Sequence, residues 1–219
     1  MKTIKLDIQY NSQRNNFEWG GRLRFFVQCW YTSCVMFLSG FLGKRSEKFE
    51  RAYVDTTESK VGKDGIAEKL MAKIPWLRRL VRNGMRSGAF YLVHVEAIKD
   101  YLGAAGYDRN LVICKRNNGT WKEVSRSLKN GFPVILSTKL TSSGHIVLVV
   151  GEDSANWIVH DPYGDARARN PDNPISGYRK SPNGSFRKYP KGWLENFAGI
   201  RVTGSPERCN IIYYSGKKL

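Results

Sequence analysis

The sequence lacks any apolar run long enough to cross a membrane. A membrane-spanning helix needs about 20 consecutive apolar residues, and no stretch of the 219-residue chain is that apolar. The N-terminal stretch Met1–Asp7 is polar and alternating and has no signal-peptide core. We therefore expect a protein without a membrane span that is made in the cytoplasm.

Cysteines are few and are not spaced as metal ligands. The chain has four, with no CxxC pair and no histidine at a zinc-ligand spacing, so we expect no metal or other cofactor. Cys29 and Cys34 are five residues apart in one predicted helix, where they would point to different faces, too far apart for a disulfide. We expect all the cysteines to be reduced: Cys29, Cys34, Cys114 and Cys209.

Acidic side chains are scarce. Lys and Arg total 36 against 19 Asp and Glu, which gives a formal net charge of +17. Such a field concentrates a protein on polyanions, and both nucleic acids and anionic bacterial envelope polymers fit that description. Hydrophobic residues make up 41% of the chain and aromatics 12%, which is enough for a packed core and argues against general disorder.

The N-terminal half is predicted to be mainly helical. A short alternating strand is predicted at Lys2–Tyr10 and a helix in the apolar window Phe26–Gly40. Further helices are predicted at Gly65–Ala72, Pro75–Met85 and Phe90–Leu102. The polar stretch Leu42–Asp64 shows no clear period and is interpreted as a surface excursion or lid.

The C-terminal half is predicted to be rich in strands. Thr120 and Glu123 form a capping-box pattern, which predicts a helix from about Trp121 to Lys129. The other predicted elements are a helix at Trp193–Phe197 and strands at Leu111–Lys115, Phe132–Ser137, His145–Gly151, Asn156–His160 and Cys209–Tyr214.

Residues 166–191 form a basic segment rich in Pro and Gly and are interpreted as loop. We predict an α+β fold in one domain spanning residues 1–219. In it, the helix-rich N-terminal half would pack on an antiparallel sheet from the C-terminal half.

The apolar window holds a candidate nucleophile. Tyr31, Cys34, Val35 and Leu38 have the spacing of a buried helix face, which places Cys29 near the helix start. The N–H groups and the positive end of the helix macrodipole favour a charged sulfur there. The alternative is that Cys29 and Cys34 are both core residues.

A hairpin further along the chain pairs a base with a carboxylate. If its strands fold about a turn centred on Asp153, His145 lies directly opposite Asp161. Directly opposed Cβ atoms are about 4.5–5.5 Å apart, close enough for the carboxylate to accept a hydrogen bond from the imidazole. His160 would point to the other face, and Asp165 is a second candidate carboxylate. The alternative is a hairpin whose polar ends face each other without any function.

Together with Cys29, this pair would supply the thiol, imidazole and carboxylate of an activated-thiol site. His94, in the predicted helix Phe90–Leu102, has no orienting group nearby in the sequence and is interpreted as a packed helix histidine.

Four stretches carry a resemblance to a known family. They are the entry segment Leu6–Asn16, the helix pattern Cys29-x-x-Thr32-Ser33-x-x-Met36, the strand Gly144–Gly151 and the turn Asp161-Pro162-Tyr163-Gly164. In order and spacing they resemble papain-fold cysteine peptidases related to the bacteriocin-leader-processing (C39-like) peptidases. The resemblance spans roughly residues 4–165.

The resemblance implies a papain-like fold and a set of residue roles. Gln13 would donate to the oxyanion, Cys29 would attack, His145 would act as base and acid, and Asp161 would orient it. A side-chain amide suits a developing negative oxygen, although the alternative for Gln13 is an ordinary turn residue. Trp30 and the following tyrosine stand where the family has Gly-Pro, a departure that we expect to narrow the cleft.

Charge and resemblance together favour a peptidase with an acidic, wall-like target. We expect a peptidoglycan endopeptidase, in particular a phage lysin, that acts as a monomer at the cell wall or periplasm. Its partners would be peptidoglycan or anionic envelope polymers, with residues 166–191 and the segment Arg78–Arg86 as anchors. Three alternatives stay open: a processing peptidase for one protein, a nucleic-acid-binding protein without catalysis, and a pseudoenzyme that kept the fold for binding.

Overall fold

The protein is represented by a computed structural model that describes residues 2–15, 28–43, 52–53, 89–141, 144–168, 178, 183–198 and 208–217. The chain divides into two units, one made of residues 1–45 and 111–219 and the other of residues 46–110. The prediction of a single domain spanning both stays a prediction.

An antiparallel sheet forms the centre of the first unit. Its seven described strands are β1 (Ile4–Lys5), β2 (Val112–Thr120), β3 (Val134–Thr138), β4 (His145–Glu152), β5 (Asn156–His160), β6 (Arg187–Pro190) and β7 (Arg208–Tyr214). The order across the sheet is β2-β7-β3-β4-β5-β6, and β1 pairs with β4. Because β4 lies inside the sheet, all eight of its residues are buried, including the histidine with which it begins.

The C-terminal end of β4 pairs with two strands, one on each side. β1 pairs with its last two residues, and β5 pairs along its other side with a register shift between Val149 and Gly151. Within the shift, the carbonyl of Val150 accepts a hydrogen bond from the Leu6 N–H at 2.8 Å. A Cβ at Gly151 would lie 2.2 Å from the Ile4 carbonyl oxygen, so this close approach of β1 requires glycine.

The described residues form four helices: α1 (Gln28–Leu42), α2 (Ala89–Ala104), α3 (Trp121–Lys129) and α4 (Lys191–Ala198). On one face of the sheet, the main core takes Val124 and Leu128 from α3 and Leu194 and Ala198 from α4. α1 contacts β3 and β4, and none of its described residues belongs to that core, so α1 covers the opposite face. No helix in the described ranges is both long and apolar enough to cross a membrane.

α3 begins where the capping box predicts. The Thr120 hydroxyl accepts from the Glu123 N–H at 3.3 Å, and the Glu123 carboxylate accepts from the Thr120 N–H at 2.9 Å. These two bonds satisfy N–H groups that the first turn of a helix leaves without partners. The helix ends before Gly131, whose φ of 87° suits glycine.

α2 belongs to the second unit. There the Tyr53 hydroxyl lies 3.0 Å from Nδ1 of His94, and the two rings stack with centroids 6.0 Å apart. Burial lowers the pKa of His94 to about 3, so this histidine is neutral. It is a packed helix histidine, as the sequence indicates.

The predicted α+β fold is confirmed, and most of the predicted strands and helices are present. The interpretation of residues 166–191 as loop is wrong at its C-terminal end, because β6 pairs there with β5 and α4 starts at Lys191. The predicted N-terminal strand is reduced to β1. The predicted helices at Gly65–Ala72 and Pro75–Met85 lie outside the described residues, as does most of Leu42–Asp64.

Candidate active site

The candidate nucleophile lies at the start of α1. Cys29 is the second residue of that helix and is buried, with 8% of its surface exposed. The first N–H groups of a helix have no partners within it and carry the positive end of the macrodipole, so this position favours negative charge on the sulfur. Cys34 is fully buried in the interior instead. All four cysteines, each of them a described residue, are reduced thiols.

His145 connects the thiol to a carboxylate. Its Nε2 lies 2.7 Å from Oδ1 of Asp161, and only 3% and 0% of the two side chains are exposed. The Cys29 side chain makes a hydrogen bond with the same imidazole. Because Asp161 occupies Nε2, we assign this bond to Nδ1. Three of the four candidate site residues therefore form one chain of contacts.

The register that predicted this contact is wrong. The structure pairs His160 with Leu148, so that extending the ladder sets Asp161 opposite Val147 and not opposite His145. His145 and Val147 lie on the same face, because side chains alternate along a strand. Asp161 is therefore a diagonal neighbour of His145, still within reach of a long side chain. The difference arises at the turn, which the Asp153 N–H to Asn156 carbonyl bond centres between Ser154 and Ala155 and not on Asp153. The later register shift in β4 changes the offset by only one residue.

Four donors converge on the Asp161 carboxylate. Oδ1 accepts from the His145 ring and from the backbone N–H of Tyr163 at 3.0 Å. Oδ2 accepts from two hydroxyls, that of Tyr178 at 2.8 Å and that of Tyr189 at 2.9 Å. A protonated acid would direct its own O–H at another donor, so the arrangement matches the ionised carboxylate.

The buried groups have defined protonation states. Burial alone would lower the pKa of His145, but the charge and the hydrogen bond of Asp161, with a contribution from Cys29, outweigh burial and raise it to about 10. Burial and then the charge of Asp161 raise the pKa of Tyr178 and Tyr189 well above the usual value, so both hydroxyls stay protonated donors. The site can thus hold a thiolate beside an imidazolium in a region from which water is largely excluded.

Gln13 lies beside the Asp161 loop, at the start of the 3-10 turn Gln13–Asn15. Its backbone N–H donates to the Pro162 carbonyl at 2.9 Å. Among the described residues, its buried Oε1 has no hydrogen-bond partner, and its side chain makes no hydrogen bond to Cys29, His145 or Asp161. Oε1 can only accept, so any donation by this side chain has to come from Nε2 of the same amide.

Arg14, the next residue, binds two segments of the chain that lie beside His145 and Asp161. Its Nε donates to the Tyr163 carbonyl at 2.7 Å, and its Nη2 donates to the Tyr178 carbonyl. The rings of Tyr163 and Tyr178 lie 6.2 and 5.5 Å from the His145 ring. These aromatic rings shield His145, while Tyr163 itself remains 36% exposed at the surface.

Sequence reasoning missed Tyr178, Tyr189 and Arg14. Tyr178 falls within the segment interpreted as loop, where no local pattern marks it. A strand assignment at Arg187–Pro190 would have identified Tyr189, because alternation along a strand puts this tyrosine and the basic Lys188 on opposite faces. In the structure Tyr189 is buried and Lys188 is exposed.

The remaining candidates are engaged elsewhere. His160 donates from Nε2 to the Ile8 carbonyl at 2.7 Å and accepts at Nδ1 from the Phe186 N–H at 3.1 Å. Burial lowers the pKa of His160 to about 4, so it is neutral and structural. Asp165 pairs with Arg187 at 3.3 Å. Within the described part of the chain, no group of three or more His, Cys, Asp or Glu residues could hold a metal.

A comparison with known protein families covers the part of the chain that holds the candidate active site. The model of the Peptidase_C39-like family matches residues 5–188, a range that contains all four candidate site residues and Tyr178 and that ends one residue before Tyr189. No curated protein and no solved structure matches the chain. Since the family model covers well over half of the sequence, the chain belongs to the Peptidase_C39-like family of cysteine peptidases.

Proposed function

We propose that the protein hydrolyses an amide bond with Cys29 as nucleophile, His145 as base and acid, and Asp161 as the group that orients the imidazole. The observation that carries the proposal is the chain of contacts from the Cys29 thiol through His145 to Asp161. A thiol, an imidazole and a carboxylate in that order are the parts of an activated-thiol site.

The proposed reaction has two halves. Sγ of Cys29, having given its proton to His145, attacks the carbonyl carbon, and the C–N bond breaks as His145 passes the proton to the leaving amine. A water that His145 deprotonates then cleaves the thioester, which releases the acid and restores the thiol. Gln13 is the proposed donor to the oxyanion, because an amide N–H stabilises negative charge that develops on oxygen.

The proposed substrate is the peptide part of peptidoglycan, and the proposed setting is a phage lysin that acts as a monomer at the cell wall. The support is the net charge of +17, since a cationic enzyme is concentrated at an anionic envelope. The two expected anchors do not contribute further support, because Arg78–Arg86 and much of residues 166–191 lie outside the described residues.

The test uses purified protein on permeabilised bacterial cells and isolated sacculi. The proposal expects clearing of the cells and release of free amines, both abolished in Cys29→Ala. Cys114→Ala is the matched control, since this partly exposed strand residue lies outside the candidate site, and it should keep both activities. A fully active Cys29→Ala variant would refute the assigned nucleophile. Cleavage of a protein substrate without any binding to sacculi would replace the wall substrate with a processing role.

A further inference from the structure

A depression lies where α3 and α4 cover the sheet. It has a volume of about 550 Å³ and is lined by residues of α3, by the start of α4 and by Trp157 of β5. None of the four candidate site residues lines it. It is therefore separate from the candidate active site.

The α3 side of this depression carries a row of cations. Lys122, Arg126 and Lys129 are spaced four and three residues apart, the spacing of neighbours on one helix face. At 1.5 Å per residue the row is about 10 Å long. All three side chains are exposed, and within the described part of the chain none of them forms an ion pair.

The charged groups on the α4 side are already engaged. Nζ of Lys191 lies 2.8 Å from the buried Glu152 carboxylate. Glu195, the acid that lines the depression, accepts a hydrogen bond from Nε1 of Trp157 at 3.0 Å. Glu195 keeps its charge, since an indole N–H is a neutral donor, but it forms no ion pair with the row on α3. The cations of the lining outnumber this one acid, and the three charges of the row face solvent.

An aromatic surface lies beside the row. The ring of Trp121 packs on Trp157 with centroids 5.2 Å apart and planes inclined by 31°. Trp157 is only 2% exposed, whereas Trp121 is half-buried, so Trp121 is the more exposed indole of the two. A flat apolar ring next to cations matches a ligand that combines C–H faces with negative charges.

We propose that this depression binds an anionic glycan in which phosphodiesters link sugar-bearing units. The phosphates contact Lys122, Arg126 and Lys129, and a sugar ring packs against Trp121. Binding needs no chemistry at Cys29, so this site goes beyond the proposed hydrolysis and can succeed or fail independently of it.

Nucleic acid is the competing polyanion. Proteins that bind single strands present several aromatic side chains on which successive bases stack. Here the depression offers one partly exposed indole, since Trp157 is covered. One aromatic contact beside a row of cations fits a charged glycan better than a stacked base ladder.

The experiment measures dissociation constants for the full chain by calorimetry with three probes: glucosylated poly(glycerol phosphate), the same polymer without sugars, and oligo(dT) of equal charge. The proposal expects Lys122→Ala/Arg126→Ala/Lys129→Ala to weaken binding of the glucosylated polymer at least tenfold. Lys2→Ala/Lys139→Ala/Lys217→Ala removes the same charge from exposed positions outside the depression, and it should weaken binding less than threefold. Cys29→Ala should bind like the wild type.

Trp121→Leu tests the sugar contact, with circular dichroism and the melting temperature as checks of folding. We expect it to weaken binding of the glucosylated polymer several-fold and to leave the unsubstituted polymer nearly unaffected. Equal losses in the two triple variants would reduce the effect to overall charge and overturn the proposal. Tighter binding of oligo(dT), lost in the α3 triple variant, would overturn it in favour of nucleic acid.

Discussion

The hydroxyl of Tyr178 donates to Oδ2 of Asp161 at 2.8 Å, while His145 binds Oδ1 of the same carboxylate. The Tyr178 and His145 rings also contact each other in an edge-to-face arrangement, with centroids 5.5 Å apart and planes at 67°. One side chain thus holds both members of the pair in place. Tyr178 is a positioning residue for the reaction proposed above.

The first prediction concerns this tyrosine. Tyr178→Phe keeps the ring and removes one charge-assisted hydrogen bond, which contributes about 1.5–3 kcal/mol. We expect kcat/KM to fall at least about tenfold with little change in KM, because the imidazole loses orientation and not substrate contacts. Steady-state kinetics over a pH series measure this, and the alkaline limb should shift as well.

Tyr213→Phe is the matched control, since its hydroxyl donates to Glu123 at 3.2 Å, on α3 and away from the site. It should retain the wild-type rate and pH profile. A Tyr178→Phe enzyme with an unchanged rate and profile would show that the hydroxyl has only a structural role.

The second prediction concerns pH. The pKa of His145 is raised to about 10 mainly because Asp161 opposes the effect of burial, so the imidazolium persists through neutral pH and is lost as the pH rises towards 10. In Asp161→Asn the opposing charge is gone and burial lowers the pKa. The alkaline limb of kcat/KM should therefore move to lower pH, together with a large loss of rate. An alkaline limb that stays in place in Asp161→Asn would contradict the assigned pair.

The third prediction concerns thiol reactivity. At mildly acidic pH, iodoacetamide should modify Cys29 first, because an imidazolium lies beside it and α1 begins there. Cys34 and Cys209 are fully buried, and burial raises the pKa of Cys209 to about 12. Mass spectrometry of proteolytic fragments identifies the labelled residue. His145→Ala should slow this labelling, and faster labelling of Cys209 than of Cys29 would argue against the proposed ion pair.

The fourth prediction concerns stability. Gly151→Ala would bring a Cβ to 2.2 Å from the Ile4 carbonyl oxygen, so β1 has to leave its place on β4. We expect a loss of about 1–3 kcal/mol, as for overpacking elsewhere, seen as a lower denaturant midpoint. Gly192→Ala is the control, because no atom lies within 4 Å of the added Cβ. It should be neutral or slightly stabilising, and equal effects of the two substitutions would contradict the close-approach argument.

Much of the larger unit could be predicted from local patterns. The capping box at Thr120 fixes the start of α3, and the apolar run after His145 marks a strand buried inside a sheet. Cys29 and His145 are identifiable because each begins an apolar element of the core. Such signals lie within a few residues of one another in the sequence.

The rest depends on contacts between distant parts of the chain. The register of β4 against β5 depends on where the turn is centred and on a shift in β4, and the shift lies where the Leu6 N–H meets the Val150 carbonyl, a contact between distant parts of the chain. Tyr178 and Tyr189 are 17 and 28 residues away from Asp161 in the sequence. Hydrophobic periodicity describes local structure and cannot predict contacts over such distances. The prediction of the His145–Asp161 contact was right in outcome and wrong in register.

The N-terminal segment is held at its two ends, since the Leu6 N–H bonds to β4 and the Gln13 N–H bonds to Pro162, one residue beyond Asp161. Between these ends the Ile8 carbonyl accepts from His160. The chain between the two ends acts as a spacer of fixed length. Substitutions on its exposed side are compatible with these bonds, whereas a deletion or insertion of one residue would force one of them to break. Among relatives, we therefore expect amino-acid substitutions between residues 6 and 13 to be far more common than insertions or deletions there.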